Sequence, residues 1–259
     1  MISILYAYQT KTWAGAPFSR MSGHSHFRTI KAQKELADAK KGKIFSKLAR
    51  VITITVKEGG NNPDTNLKLK TAIEQAKEFN MPKENIERAI KKGTGELAGE
   101  QLEEFSFEGF GPGGIAIIID GITDNKNRTL GEIKSILSQY EGKMAGTGAV
   151  KWMFDRRGFI AIDCQGKSKE ELEFLAIEIG AEDVKQQDTM LYIYTKPEDL
   201  EKIKKILEEK QLKVESASLD WIAKEEIVID DKKSQAAQKL FEALNENDAI
   251  QNIYSNLKE

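Results

Sequence analysis

Cysteine and histidine are the residues this chain most conspicuously lacks. Cys164 stands alone in 259 residues, so no disulfide can close within the chain. With only His24 and His26 beside it, no four-ligand zinc set can be assembled. A reducing compartment is the expectation, and no metal or other cofactor is expected. No apolar run approaches the roughly 20 residues that a bilayer-spanning helix requires. The long apolar core of a secretory signal is missing too, which leads to the expectation of a cytoplasmic protein without a membrane partner. Convergent acid, base and nucleophile groups are also wanting. Cys164 falls in a predicted strand with no nearby histidine, and no serine has a nucleophile-elbow setting, so an enzyme is not expected.

Residues 1–20 contain no acidic residue, four aromatics and two basic residues, Lys11 and Arg20. They read as an upstream extension before a credible start at Met21, with a weak targeting peptide as the alternative.

The formal net charge of -2 conceals a strong division. Residues 21–98 hold 16 Lys and Arg against 9 Asp and Glu, whereas residues 99–259 hold 21 against 32. One part attracts polyanions and the other repels them. The excess is densest from Arg28 to Arg50, where Arg28, Lys31, Lys34, Lys40, Lys41, Lys43, Lys47 and Arg50 face only Glu35 and Asp38.

Periodicity supplies the elements. From Gly42 to Lys57, Ile44, Phe45, Leu48, Ile52 and Val56 share one face of a helix, with Lys43, Lys47, Arg50 and Lys57 opposite. Val51 to Val56 also alternates as a strand would, but the helical pattern runs unbroken from Ile44. Gly59 to Pro63 should end this helix. A second helix is predicted from about Asn66 to Phe79, capped by Asp64 or Asn66. A third should begin at Pro82 and end at Gly93, with Lys91 and Lys92 in its last turn. Strands are then expected at 105–110 and 115–119 around a turn at Gly111 to Gly114. A helix bearing Leu130, Ile133, Ile136 and Leu137 follows, then a strand at 150–154. From Gly158 the order becomes strand, helix, strand, strand, helix, strand, the split unit of ferredoxin-like domains, with Ser168 and Glu171 as a capping box. A strand at 225–229, a helix at 232–244 and a segment at 250–254 are too little for a core of their own. They should complete the sheet begun before residue 157.

The expected fold is therefore multidomain, α and α+β. After the extension (1–20) come a basic three-helix domain (21–98), a discontinuous middle α+β domain (99–156 and 223–259) and a ferredoxin-like α+β domain (157–222) inserted into the middle one.

Several blocks of residues support the same organisation. GHSHFRTIKAQK at 23–34, DAKKGKIFSKL at 38–48, GGNNPD at 59–64, NMPK at 80–83, RAIKKG at 88–93, EGFGPGG at 108–114 and TDNKNRT at 123–129 resemble blocks of the YebC/PmpR family. The resemblance implies an N-terminal three-helix domain and two α+β domains, the last ferredoxin-like and inserted. It further implies a cytoplasmic DNA-binding transcriptional regulator, with a ribosome-associated translation factor binding ribosomal RNA as the alternative. The chain departs from the family at His26, Phe27, Ala32 and Gln33, which lowers its positive charge there, and carries Phe105 and Phe110 where tyrosine is usual.

The candidate nucleic-acid-binding residues are Arg28, Lys31, Lys34, Lys40, Lys41, Lys43, Lys47, Arg50, Lys57, Lys91, Lys92 and Arg128. The first nine form the basic segment, while Arg128 stands where a helix N-terminus could receive an anion. No helix-turn-helix, homeodomain or finger signature appears, so shape or single-strand recognition fits better than base readout. The expected partner is nucleic acid, DNA or ribosomal RNA, with the ribosome as a further candidate, and the expected state is a monomer.

Overall fold

The computed structural model describes residues 38–99, 101–164, 166, 168–187 and 189–258, and the side chains of 38–40 and 169 fall outside that description. Three helices come first: α1 (Asp38–Gly59), α2 (Leu67–Glu78) and α3 (Lys83–Thr94). Ile44, Leu48, Ile52 and Val56 of α1 close a core with Leu69, Ala72 and Ala76 of α2 and with Ile86 and Ala89 of α3. The β-branched run inside α1 stays helical because tertiary packing overrides its strand propensity. Thr55 returns its hydroxyl to the carbonyls of Val51 and Ile52, and Thr53 donates to Ala89 O at 3.0 Å.

Asn66 joins two helix ends. Its side-chain oxygen accepts from Leu69 N at the start of α2, and its amide donates to Thr55 O and Gly60 O, both at 2.8 Å. Pro82 is the N-cap residue of α3 and not its first helical residue. The expected stop at Gly93 is also corrected, since α3 continues to Thr94 and Gly95 takes the left-handed cap at φ 81°. Gly93 serves packing instead. A Cβ there would lie 2.6 Å from Val56 Cβ and 2.7 Å from Thr53 O, so only glycine lets α3 lie this close to α1.

The first sheet has the order β3-β1-β2-β8 and is antiparallel, from β1 (Glu103–Phe110), β2 (Ala116–Thr123), β3 (Lys143–Ala145) and β8 (Ile250–Ser255). Helices α4 (Lys126–Gln139) and α7 (Asp231–Asn245) cover one face, where Phe105, Ile117, Ile119, Ile133, Leu137, Leu240 and Leu244 pack together. Ala116 and Ile118 point to the other face, against Val150, Phe154 and Tyr254. Burial on both sides explains why this strand is apolar without alternation.

The second sheet has the order β5-β6-β4-β7, from β4 (Phe154–Asp163), β5 (Asp183–Gln187), β6 (Met190–Thr195) and β7 (Val214–Ala223). Helices α5 (Lys169–Glu178) and α6 (Leu200–Glu209) complete its strand-helix-strand-strand-helix-strand sequence. All three pairings are antiparallel, as the ferredoxin-like arrangement requires. Its first and last strands are neighbours, with Phe154 opposite Ala223, so the chain enters and leaves this sheet at one place. That adjacency is what makes an insertion between β3 and α7 geometrically simple. Ser168 caps α5 by accepting from Glu171 N at 3.4 Å.

Two expected strands are corrected. Residues Lys151–Met153 form a 3-10 turn, and the strand begins only at Phe154. Segment 225–229 contributes a single parallel bridge, Ile227 to Leu257. The helix and strand that follow appear as α7 and β8, and β8 joins the first sheet beside β2.

Candidate nucleic-acid interface

The polar face of α1 is not open. Ile54 packs on Leu102 and Ile122 of the first α+β unit, giving α1 a second buried side. The cations flanking that contact are engaged across it, although only Lys47 is buried and Lys57 stays exposed. Lys43 pairs with Glu246, just beyond α7. Lys47 is 3% exposed and donates to Asn245 O and Asn245 Oδ1, both at 3.0 Å. Arg50 reaches Ile122 O and Lys57 reaches Leu102 O, each at 3.2 Å. Burial pulls the Lys47 ammonium down to about 8, against the opposing attraction of Asp248 and Glu246 and with repulsion from Lys43.

The expectation of a free basic stripe along α1 is therefore corrected for Lys43, Lys47, Arg50 and Lys57. A helical wheel separates an apolar stripe from a charged one, but long cationic stems can cover a second interface while their heads find carbonyls. Lys41, Lys91 and Lys92 are exposed. Arg28, Lys31 and Lys34, and the side chain of Lys40, lie outside the described residues. Arg128 is half-exposed and pairs with Asp124 and Glu132 at the start of α4. Asn125 caps that helix by accepting from Arg128 N at 3.0 Å, so the TDNKNRT block is an N-terminal cap whose arginine is engaged within the fold.

A feature that periodicity missed lies where the two sheets meet. Glu108 of β1 is buried, and its carboxylate accepts from three backbone amides, Gly148 N and Val150 N at 2.7 Å and Lys151 N at 3.0 Å. Burial opposes its ionisation, but those three donors and nearby Lys151 prevail and hold the carboxyl below its ordinary range. Lys151 Nζ lies 5.5 Å from the centre of the Trp221 ring and Arg156 Cζ lies 5.0 Å from it. The Trp221 indole donates to Asp120 Oδ2 at 3.2 Å, and burial pushes the Asp120 carboxyl up. Sequence offered little signal for it, because β1 carries three glutamates and only Glu108 among them is buried, against the glycine-rich stretch that begins about 40 residues later.

Two family models together span nearly all of the described residues. The TACO1/YebC N-terminal domain matches residues 25–96, and the TACO1/YebC second and third domain matches residues 102–257. The chain belongs to the TACO1/YebC family. A TACO1/YebC relative from Halothermothrix orenii, named "Probable transcriptional regulatory protein", is 45% identical over 239 residues, covering 91% of this chain and 94% of its own length. One from Aquifex aeolicus with the same name is 45% identical over 239 residues, covering 92% and 96%. The crystal structure of a conserved hypothetical protein from Aquifex aeolicus superposes with a TM-score of 0.79 at 44% identity, over 85% of this chain and 91% of that one. The arrangement of three helices and two four-stranded sheets is thus the TACO1/YebC fold. Among the described residues no helix is long and apolar enough to cross a membrane, and no group of three or more His, Cys, Asp or Glu side chains could hold a metal.

Proposed function

We propose that this chain is a non-catalytic, nucleic-acid-binding regulator of gene expression that acts in the cytoplasm on DNA, as a monomeric transcriptional regulator. The names of its relatives support a regulatory role. The observation that carries the reading is the division of charge, 16 basic against 9 acidic residues in 21–98 and 21 against 32 in 99–259. A protein that uses one part to hold a polyanion gains by keeping the remainder acidic, because the orientation of approach is then steered.

Helix α1 commits four of its cations to the α+β region, so we assign phosphate contact to the others. These are Arg28, Lys31, Lys34 and Lys40 before and at the start of α1, and Lys91 and Lys92 at the end of α3. Residues 21–98 would act as the binding unit, with residues 99–156 and 223–259 as the middle unit and 157–222 as the inserted one.

The test is fluorescence anisotropy of the full chain on labelled duplex DNA across a salt series. A ribosomal RNA hairpin runs in parallel, because phosphates and shape are common to both ligands. Engagement of about six phosphates predicts a log-log salt slope of roughly -5 on the duplex. Reversing Arg28, Lys31, Lys34, Lys91 and Lys92 to Glu should weaken binding at least about tenfold and flatten that slope, at unchanged melting temperature. No binding to either ligand at about 50 mM salt refutes the proposal. Binding to the hairpin alone replaces DNA with RNA as the partner.

A further inference from the structure

An exposed tryptophan, Trp152, stands on a basic island within the acidic part of the chain. Residues 143–157 contain Lys143, Lys151, Arg156 and Arg157 against Asp155 alone, although residues 99–259 carry 32 acidic residues against 21 basic ones. Trp152 is 64% exposed, whereas the other tryptophan among the described residues, Trp221, is half-buried beneath Lys151 and Arg156. Leaving an indole in water forgoes apolar burial, and one exposed apolar residue alone would carry no meaning. Here the surroundings are built. The buried Glu108 carboxylate gathers the amides of Gly148, Val150 and Lys151, fixing the backbone immediately before Trp152. The indole N–H donates to Ala149 O at 2.9 Å, so the ring is tethered by its polar edge and one apolar face is left to solvent. Gly146 and Gly148 have open space where a side chain would stand, which keeps the approach clear. Arg156 is 40% exposed and lies 3.9 Å from Asp120 Oδ2, so a phosphate there would share it with that carboxylate, and among the described residues Lys151 has no ion-pair partner.

We propose that Trp152 is a stacking platform for an unpaired nucleic-acid base, with Lys151 and Arg156 receiving the flanking phosphates. The proposal rests on the nucleic-acid reading above and places a second contact, at the seam of the two sheets, away from the helical unit. A planar ring held at its edge by a rigid loop loses little entropy on stacking, and every base offers a π face. The few cations here suit one or two phosphates, which fits a local unpaired base better than a long duplex tract. Such a base is presented by a single-stranded or opened DNA and by an RNA loop alike.

The full chain is titrated with fluorescent 12-nucleotide oligo-uridine, the matching oligo-thymidine and a duplex control, using Trp152→Ala, Trp152→Phe and a Lys151→Glu/Arg156→Glu double variant. Trp152→Ala should lose at least about fivefold in single-strand affinity while leaving duplex affinity unchanged, and Trp152→Phe should recover most of the loss. The double variant should weaken single-strand binding and lower its salt slope by about 1 to 2. Preference for uridine or thymidine then identifies RNA or DNA as the source of the base. Retained duplex binding with equal single-strand affinity for wild type and Trp152→Ala overturns the platform alone and leaves Trp152 to a protein partner. Absence of binding to all three oligonucleotides overturns this proposal and the parent reading together.

Discussion

Lys47 offers a direct measure of how α1 is seated on the α+β region, because its ionisation is tied to that contact. The side chain is 3% exposed, and its ammonium is pulled from the ordinary 10.5 down to about 8, mainly by burial. A lysine with a lowered folded value binds fewer protons when folded than when unfolded, so stability must rise with pH between the two values. Below about 8 the group is charged in both states and the full burial penalty is present; above 10.5 it is neutral in both and the penalty is gone. Working through the two titrations, raising the pH from about 7 to about 9.5 should add about 2 kcal/mol from this group.

Other lysines and the tyrosines titrate as well, so the comparison needs a chain that differs only here. Lys47→Met keeps an unbranched stem and never ionises. Urea unfolding of both proteins at the two pH values gives a double difference in which shared titrations largely cancel. Wild type should gain about 2 kcal/mol on the variant over this interval. A double difference below about 0.5 kcal/mol would mean that the ammonium is hydrated and that α1 does not sit on α7 as described. A change of opposite sign would mean that Glu246 and Asp248 outweigh burial, which reverses the ordering of causes.

The remaining stability predictions concern single polar groups that hold the frame. Asn66→Ala removes a helix cap and two hydrogen bonds to Thr55 O and Gly60 O, and should cost about 3 kcal/mol. Thermal unfolding followed by circular dichroism checks this, and a loss under about 1 kcal/mol would show that water replaces those bonds freely. Glu108→Gln sets an amide NH2 against backbone N–H groups and should cost about 2 kcal/mol. Because the folded Glu108 carboxyl is held low, its contribution is present above the ordinary carboxylate range and fades as pH falls through the folded value. Acid unfolding curves of the glutamine variant should accordingly be flatter, and parallel curves would remove Glu108 as the organiser of the loop before Trp152.

What could be read from the chain alone, and what could not, divides along a physical line. Helix α1 was legible because its apolar repeat and its stop at Gly59-Gly60 are local signals. The ferredoxin-like order was legible for the same reason, each strand and helix carrying its own period. Gly93 was misread because a glycine near a run of lysines looks the same whether it ends a helix or admits a neighbouring one, and only the 2.6 Å approach of Val56 Cβ distinguishes them. The strand expected at 150–154 failed for a related reason. Val150, Trp152 and Phe154 alternate as strand residues do, but Glu108 binds the amides of Val150 and Lys151 that a ladder would need.

The largest revision concerns charge. A lysine on the polar side of a helical wheel carries no mark that says whether its head meets water, a phosphate or a carbonyl. In α1 four such residues meet Glu246, Asn245 O, Ile122 O and Leu102 O, so the charge that attracts a polyanion at long range also fastens the helical unit to the acidic one. The two uses compete for the same side chains. Any polyanion that drew Lys43 and Arg50 outward would have to loosen the seat of α1 as it bound, stripping the cover from Ile54, Leu102 and Ile122. Lys91 and Lys92 are exposed and have no ion pair among the described residues, so contacts they make carry no such penalty. That difference is the physical reason for assigning the polyanion to them while the cations of α1 remain in the interface.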